Sequence, residues 1–440
     1  TWRCWVMASD WKEVSLGEIV NFTPKRTIKK GTTAPFISMA DVTENSKFIK
    51  EVFEKEYTGG GSRFANGDTL FARITPCLQN GKCSKVSGME NTEIGHGSTE
   101  FIVMAAKTPE YDEDYIYYLA RLPKFRAYAE SRMIGSTGRQ RVSWQDLEEY
   151  EFAAPPPNER KDIGSFLSSL DDKIELNRQM NETLEAMAQA LFKSWFVDFD
   201  PVIDNALAAS NAIPDEFIER AEQRKAIEKK EKSDIQGLFP DEFELTEGMG
   251  WIPKGWEITN LKDHAEKISK GTTPSKAILA KADDDSTIPF LKVRDLDDKG
   301  KIDTQNLDLI PKSIHENALK RSILQTGDLL FSIAGTIGRV SIVPKELDNS
   351  NSNQALAFIR PKDDIKTYFL LQFLKSQEVQ DEISSRVVQA VQANVSLTEL
   401  GSLKFATASD DLFRKWHSMV QSWIEKINLL QIENSYLSKL

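Results

Sequence analysis

The stretch Gly67-Asp68-Thr69-Leu70-Phe71 occurs a second time in this chain of 440 residues, as Gly327-Asp328-Leu329-Leu330-Phe331. Other segments recur around it in the same order. These further pairs are Asp10–Leu16 with Gly255–Leu261, Pro35–Ile37 with Pro289–Leu291, and Arg141–Leu147 with Asn394–Leu400. The offset drifts from 245 at the first pair to 253 at the last, as insertions in loops between shared strands would cause. A period of this length is too long for a solenoid, so the sequence predicts two copies of a whole domain with an attached helix.

Each copy has the pattern of a mixed α/β domain. Short runs rich in β-branched residues predict strands, and longer amphipathic runs predict helices. The predicted strands are Thr99–Met104, Tyr150–Ala153, Ala355–Ile359 and Leu403–Ala406, and the predicted helical runs are Asp114–Glu130 and Lys366–Arg386. The resulting organisation is an N-terminal extension at 1–9, an α/β domain at 10–157, a long helix at 158–200, an acidic connector at 201–249, a second α/β domain at 250–408 and a second long helix at 409–440. Because Met7 looks like a natural start, we expect the first six residues to be an upstream extension.

The two long helices carry the heptad spacing of a coiled coil. In the first helix, apolar residues and two asparagines alternate in steps of four and three over nearly five heptads. The positions are Ile163, Leu167, Leu170, Ile174, Asn177, Asn181, Leu184, Ala188, Leu191 and Trp195, and in the second helix Trp416, Val420, Trp423, Ile427, Leu430, Asn434 and Leu437. Such a stripe usually packs on its own domain, but two seams of this length favour pairing of the helices with each other. Asn181 and Asn434 are equivalent in the repeat, and a buried Asn pair would fix the register.

The net charge of −11 argues at first against a nucleic-acid partner. However, residues 197–247 hold 14 acidic and 6 basic side chains, and the rest of the chain sums to only −3. We interpret this segment as a partly ordered connector, with a possible charged helix at Glu216–Lys232. Three cysteines give no disulfide framework and indicate a cytoplasmic protein, and no apolar run is long enough for a membrane span.

Catalytic and metal-binding patterns are weak. Cys77, Cys83 and His96 fit no common zinc spacing. Asp215 with Glu228 and Lys230 resembles a metal-nuclease signature, but such sites need their acids on adjoining strands, and this stretch is charged and favours a helix. We therefore predict no catalytic residue, no metal and no cofactor in this chain.

Basic loops are the better candidates for a binding site. Arg121–Arg141 has a balance of +5, and its final loop carries side chains that read guanine and adenine edges. A solvated loop is the alternative, but the matched loop before Asn394 is also rich in amides. The candidates in the two loops are Arg132, Arg139, Gln140, Arg141, Gln389, Gln392 and Asn394.

A second set of candidates suits phosphate contacts, which position a protein without specifying sequence. It comprises Lys25, Arg26, Lys29 and Lys30 in the first copy and Lys270, Thr272 and Lys276 in the second. Gly335–Arg339 is a glycine-bearing turn, for which a simple hairpin is the alternative to a phosphate contact through Arg339.

Taken together, these motifs resemble the specificity subunit of type I restriction-modification systems over essentially the full length. The shared features are the Trp-x-x-x-x-Leu start of each half, Gly-Asp-x-Leu-Phe, the Val-Ser…Leu element, Pro-Pro…Asn-Glu-Arg before the long helix, Gly271–Ser275, and Leu191–Val202. The resemblance implies a non-catalytic DNA reader with two target recognition domains and an antiparallel coiled coil. It also implies docking of modification subunits, which carry S-adenosylmethionine and methylate adenine, and restriction subunits, which use ATP and Mg²⁺.

The coiled-coil and partner positions expected from this resemblance are Leu170, Ile174, Asn181, Leu184, Leu191, Trp195, Trp423, Ile427, Leu430, Asn434 and Leu437. The second helix is shorter than the first, so contacts through Phe192–Phe199 are expected on one side only. The alternatives are a stand-alone tandem-domain regulator that binds DNA or RNA, and the nuclease noted above.

Overall fold

The computed structural model describes residues 10–90, 93–136, 138–226, 235–280, 282, 284–304, 306–389 and 394–439. The predicted extension at 1–9, Glu228, Lys230 and Gln392 lie outside the described residues, and of Gln389 only the backbone is described. The chain divides into unit 1, Thr1–Gln179 with Gln431–Leu440, and unit 2, Met180–Leu430. No helix in the described part of the chain is both long and apolar enough to cross a membrane.

The described residues of unit 1 form ten short strands and the helices that follow or connect them. In chain order these are β1 (Lys12–Ser15), α1 (Leu16–Ile19), β2 (Val20–Asn21), β3 (Thr33–Ile37), β4 (Phe53–Glu56), β5 (Ser62–Phe64), β6 (Thr69–Ala72), β7 (Cys83–Lys85), β8 (Gly95–Gly97), β9 (Phe101–Ala106), α2 (Pro109–Arg121), α3 (Pro123–Ser131), α4 (Trp144–Glu148), β10 (Glu151–Ala154) and the first part of α5 (Pro157–Phe196).

The strands of unit 1 form two four-stranded sheets and one antiparallel pair. The sheet orders are β2-β9-β6-β7 and β4-β3-β8-β5, and β1 pairs with β10. β9 is a central strand of its sheet, between β2 and β6, and five of its six residues are buried. The helical run predicted at Asp114–Glu130 is broken into α2 and α3 at Leu122, which is extended because Pro123 follows it.

Unit 2 repeats this layout after a folded connector. Its elements are the second part of α5, α6 (Asp200–Ala209), α7 (Ile218–Lys225), β11 (Phe243–Thr246), β12 (Gly250–Pro253), β13 (Glu257–Asn260), β14 (Ala265–Lys270), α8 (Lys276–Leu279), β15 (Ser286–Leu291), β16 (Asp308–Pro311), α9 (Lys312–Glu316), β17 (Leu329–Ser332), β18 (Val340–Ile342), β19 (Asn351–Ser352), β20 (Leu356–Pro361), α10 (Thr367–Lys375), α11 (Gln377–Gln389), α12 (Leu397–Gly401), β21 (Lys404–Thr407) and most of α13 (Asp410–Leu437).

Two sheets of unit 2 correspond strand by strand to sheets of unit 1, whereas β16-β15-β19 has three strands where β4-β3-β8-β5 has four, and the β11-β12 pair is found in unit 2 alone among the described strands. The order β14-β20-β17-β18 matches β2-β9-β6-β7, and β13 pairs with β21 as β1 pairs with β10. Single hydrogen bonds are also repeated. Leu16 N donates to Tyr150 O at 2.8 Å, and Leu261 N donates to Leu403 O at 2.9 Å. The repeat seen in the sequence is therefore a repeat of backbone architecture.

The acidic connector is more ordered than we expected. α5 ends at Phe196, four residues before the predicted end, and a new helix, α6, begins with Pro201 in its first turn. The carboxylate of Asp200 is buried and accepts hydrogen bonds from Arg220 at 2.7 and 2.8 Å. Much of the acidic charge of this segment thus lies inside ion pairs.

The long helices contact each other within each unit. In unit 1, the Asn177 side-chain nitrogen donates to Oδ1 of Asn434 at 2.8 Å. In unit 2, Trp195 packs on Trp416 with ring centroids 5.9 Å apart, beside Phe196. The partner of Asn434 is thus Asn177, one helical turn before the predicted Asn181, which is buried in unit 2.

Candidate nucleic-acid interface

The candidate loop of unit 1 is a hairpin closed by backbone hydrogen bonds. Ile134 and Arg141 exchange N–H···O bonds of 2.9 Å in both directions, so residues 135–140 form the tip. The base of the hairpin is fixed to the sheet, because Val142 N donates to the carbonyl oxygen of Arg73 at 3.0 Å. Gly135 has φ of +137°, a conformation that favours glycine and lets the chain reverse here.

The predicted side chains of this loop are not equivalent. Arg139 is exposed at the tip, and Arg132 lies 5.1 Å from the ring centre of Tyr128 as a cation–π pair. Gln140 is half-buried, and its backbone exchanges hydrogen bonds with Thr75. Arg139 and Gln140 thus lie on the hairpin, and Arg132 lies at the end of α3, two residues before it.

Arg141 is held by a carboxylate. Its Nη2 lies 2.7 Å from Oε1 of Glu100, and its Nε lies 2.9 Å from Oε2. The hydrogen bonds from Arg141 hold the pKa of Glu100 below its ordinary value. A bidentate pair of this kind occupies the donors that would face a guanine, so Arg141 is placed to support the hairpin.

In unit 2 the residues that follow the corresponding loop make the same backbone contacts. Val395 N donates to Ile333 O at 3.0 Å, and a β-bridge joins Ala334 to Asn394. In unit 1 a β-bridge joins Ile74 to Arg141 at the same place. The side chain of Asn394 is exposed, while Gln392 lies outside the described residues.

The lysine cluster of unit 1 is exposed, but its arginine is not. Lys25, Lys29 and Lys30 all lie on the surface. Arg26 is 15% exposed and makes a bidentate ion pair with Asp68, whose Oδ1 accepts from Nη2 at 2.8 Å. Arg26 is therefore committed to the fold, which removes it from the predicted phosphate contacts.

The equivalent aspartate of unit 2 is also paired with an arginine, but this arginine comes from a different part of the domain. Asp328 is 1% exposed and accepts hydrogen bonds of 2.8 and 2.7 Å from Arg360, which lies on β20. Each aspartate also accepts from a backbone N–H three residues earlier, at Ala65 or Gln325. The Gly-Asp-x-Leu-Phe motif thus supplies a buried anchor, a role that its recurrence alone did not reveal.

The counterpart cluster in unit 2 is similar in character. Lys270 and Lys276 are exposed, and the hydroxyl of Thr272 accepts a hydrogen bond from Arg321 at 3.2 Å. Arg339, however, follows a turn between β17 and β18 and is 19% exposed. Its guanidinium binds Asp298 and the carbonyl oxygens of Val293 and Leu296. The turn joins two antiparallel strands, as in a hairpin, and the phosphate contact through Arg339 stays a prediction.

The described residues do not place the candidate catalytic or metal-binding side chains in a catalytic or metal-binding arrangement. Asp215 lies in a 3-10 turn, Asp215–Phe217, and not on a strand. His96 is buried between Phe36 and Tyr57, with Nε2 3.1 Å from the carbonyl oxygen of Lys55. Within the described ranges, no group of three or more His, Cys, Asp or Glu side chains is arranged to hold a metal ion.

Comparison with known proteins gives a consistent picture. The family model of the type I restriction modification DNA specificity domain matches residues 8–186 and 253–407. The chain is similar to the type I restriction enzyme HindI specificity subunit of Haemophilus influenzae, with 29% identity over 98% of this chain and 97% of that protein. It is also similar to the MjaIX specificity subunit of Methanocaldococcus jannaschii, with 27% identity over 74% of this chain and 66% of that protein.

The fold has a counterpart among solved structures. The crystal structure of the type I restriction-modification system S subunit from M. genitalium matches with a TM-score of 0.54 and 13% identity, covering 98% of this chain and 94% of that chain. At this identity the likeness concerns the fold alone, including the mixed α/β character that the sequence predicted.

Proposed function

Because this chain belongs to the type I restriction modification DNA specificity family, we propose that it reads the two unlike halves of a bipartite, asymmetric DNA target. Its relatives are specificity subunits of type I restriction enzymes, and the matching family model is a DNA specificity domain. The chain is accordingly a DNA-recognition component and not a catalytic one. The observation that carries the proposal is the repeated framework. The same backbone contacts anchor the end of a loop in each unit, yet the two loops carry different side chains in the sequence.

The target recognition domains in this proposal span 10–157 and 250–408. Base contacts come from Arg132, Arg139 and Gln140 in the first domain, and from Gln389, Gln392 and Asn394 in the second. Phosphate contacts come from the exposed lysines Lys25, Lys29, Lys30, Lys270 and Lys276, with Thr272. Arg26, Arg141 and Arg339 serve instead to hold the framework that presents these residues.

The long helices form an antiparallel coiled coil in this proposal and set the distance between the two half-sites. The pairing of Asn177 with Asn434 in unit 1 supports it, as does the packing of Phe192 and Trp195 on Trp416 in unit 2. Later residues of α5 thus meet earlier residues of α13. Buried seam residues also support it, among them Ile174, Asn181, Ile427 and Leu430.

The expected assembly is the one that the family resemblance implies. Two modification subunits carry S-adenosylmethionine and methylate adenine, and restriction subunits use ATP and Mg²⁺. The complex acts in the cytoplasm, on double-stranded DNA. The target adenine must leave the base stack to be methylated, so the recognition domains grip distorted DNA.

Methylome mapping in cells with and without this chain tests the proposal directly. A bipartite methyladenine motif should vanish when the chain is removed. Purification of the tagged chain should also recover a larger modification subunit, with two copies for each chain. A chain that purifies alone and binds its target tightly without help would instead be the stand-alone regulator.

Single substitutions then assign each half-site to a unit. Arg139→Ala should weaken binding to duplexes that contain one particular half-site and should have no effect where that half-site is altered. Asn394→Ala should act in the same way on the other half-site. Each lost bidentate contact is worth about 1–3 kcal/mol of discrimination. Lys12→Ala removes an exposed charge on β1 and is the matched control. Equal loss at both half-sites from either loop variant would contradict the assignment.

A further inference from the structure

The two most exposed large apolar side chains in the described part of the chain each lie shortly before a candidate loop, although the offset of 253 pairs Ile134 with Val387 and not with Val388. Val388 is 85% exposed and Ile134 is 78% exposed. Ile134 lies seven residues before Arg141, and Val388 lies six residues before Asn394. Arg141 and Asn394 are the matched residues that carry the β-bridges at the base of the two loops. Each candidate loop is therefore preceded by a β-branched aliphatic side chain directed into solvent.

Ile134 is fixed in place before any partner binds. Its N–H and its carbonyl oxygen both bond to Arg141, and Arg141 in turn is held by Glu100. A β-branched side chain has few rotamers, so a fixed backbone also fixes the direction of its methyl groups. Val388 lies in the last turn of α11, which holds it in a similar way. These are properties of a preformed contact rather than of a frayed loop.

The surroundings of Ile134 favour a nucleic-acid partner over a protein one. Arg139 lies on the same hairpin, Arg132 lies two residues before Ile134, and both are exposed; the described residues of 132–141 include no acidic side chain. Arg and Gln side chains in such a loop read purine edges in the major groove. The apolar feature that lies beside those edges in the major groove is the C5 methyl group of thymine.

We propose that Ile134 and Val388 are specificity-determining residues, each of which contacts the C5 methyl group of a thymine in its own half-site. The proposal rests on the proposed function, since it needs the two units to read two half-sites. Arg139 and Gln140 can recognise base edges by hydrogen bonds, but a methyl group offers no hydrogen-bonding atom. An exposed aliphatic residue can therefore distinguish thymine through apolar contact.

Replacement of thymine by deoxyuridine removes this methyl group and leaves base pairing intact. Each thymine of the mapped target is replaced singly, and binding of the full complex with its modification subunits is measured by fluorescence anisotropy. The wild type should lose about fourfold in affinity at one thymine of each half-site, the amount expected for one buried methyl group.

The variants should remove this sensitivity separately. Ile134→Ala should bind the thymine duplex more weakly, with no further loss on deoxyuridine at one position, while the other half-site keeps its sensitivity. Val388→Ala should do the same in the opposite half. Leu309→Ala, which truncates a 52% exposed side chain in unit 2, should change neither position. Thermal unfolding should be unchanged, because both side chains are exposed.

Two results would overturn the inference. One is a half-site without any methyl-sensitive thymine. The other is equal sensitivity to deoxyuridine in the wild type and both variants. A loss that is equal on both duplexes and relieved by an abasic site would mean that the side chain wedges between base pairs instead. If the wild-type complex shows no sequence preference at all, the proposed function fails. If the complex keeps its sequence preference but the variants do not change its sensitivity to deoxyuridine, only the proposed thymine contact fails.

Discussion

Substitution of Arg26 separates a framework role from a DNA-binding role. Its guanidinium is 15% exposed and forms a bidentate pair with Asp68, whose side chain is 5% exposed. Arg26→Ala would leave that carboxylate buried without its cation, and breaking such a pair costs about 3–5 kcal/mol. Asp68 keeps its hydrogen bond from the backbone N–H of Ala65, at 2.8 Å, so we expect the lower end of this range.

The assay is thermal unfolding of the full chain together with DNA binding over a series of salt concentrations. A loss of about 3 kcal/mol should lower the melting temperature by roughly 6–12 °C in a unit of this size. Lys29→Ala is the matched control, since it removes an exposed charge nearby. It should leave the melting temperature unchanged and reduce the dependence of log K on log salt by about one unit.

The opposite pattern would refute the reasoning. If Arg26→Ala melts like the wild type and reduces the salt dependence as Lys29→Ala does, then Arg26 contacts phosphate and its pair with Asp68 is incidental. A double variant, Arg26→Leu with Asp68→Leu, provides a second check. Replacing both partners by apolar groups should recover most of the lost stability, because no buried charge is left unpaired.

Three further outcomes follow from the contacts described above. Asn177→Ala should cost about 1–3 kcal/mol in thermal unfolding, because it leaves Oδ1 of Asn434 without its donor while Nδ2 keeps its bond to the Ile174 carbonyl, whereas leucine at both positions should not destabilise. Phe196→Ala should cost about 3–5 kcal/mol and weaken the near-ultraviolet circular dichroism, because this buried ring packs on Trp416 and on other aromatic rings of unit 2. Burial raises the pKa of Asp200, but hydrogen bonds from Arg220 and Ser194 outweigh it and leave the pKa below its ordinary value of 3.8. Asp200 therefore contributes its full stability above about pH 3.8 and loses that contribution on acidification below it. In that acidic range, the free energy of unfolding measured with denaturant should fall more steeply for the wild type than for Asp200→Asn.

The elements that the sequence predicted well are those with a strong local pattern. The long helices appear as α5 and α13 because their heptad spacing continues without interruption. The strand pairs that close each domain appear where the repeated motifs placed them. The break at Leu122 was also present in the sequence, since Pro123 disfavours a helical residue before it, but the helical pattern on both sides obscured it.

The candidate site was harder to predict because ion pairs join distant parts of the chain. Arg26 lies 42 residues from Asp68, and Arg141 and Arg339 each lie 41 residues from their carboxylate partners. Each arginine looked available in a basic or glycine-bearing stretch, and only the folded sheets bring the acid to it. Sequence therefore located the loops, but it did not distinguish side chains that face solvent from those that hold the loops in place.

This distinction changes how an acidic protein is expected to bind DNA. Of the five arginines predicted to contact DNA, three are bound to carboxylates within the fold, leaving Arg132 and Arg139 with the exposed lysines. The acidic connector is likewise partly neutralised by its own arginines, as at Asp200. Few phosphate contacts give a weak and only mildly salt-dependent affinity, since each contact contributes about one unit to the salt slope. In the proposed complex, we therefore expect tight binding to come from partner subunits that share the phosphate contacts, while this chain supplies the choice of sequence.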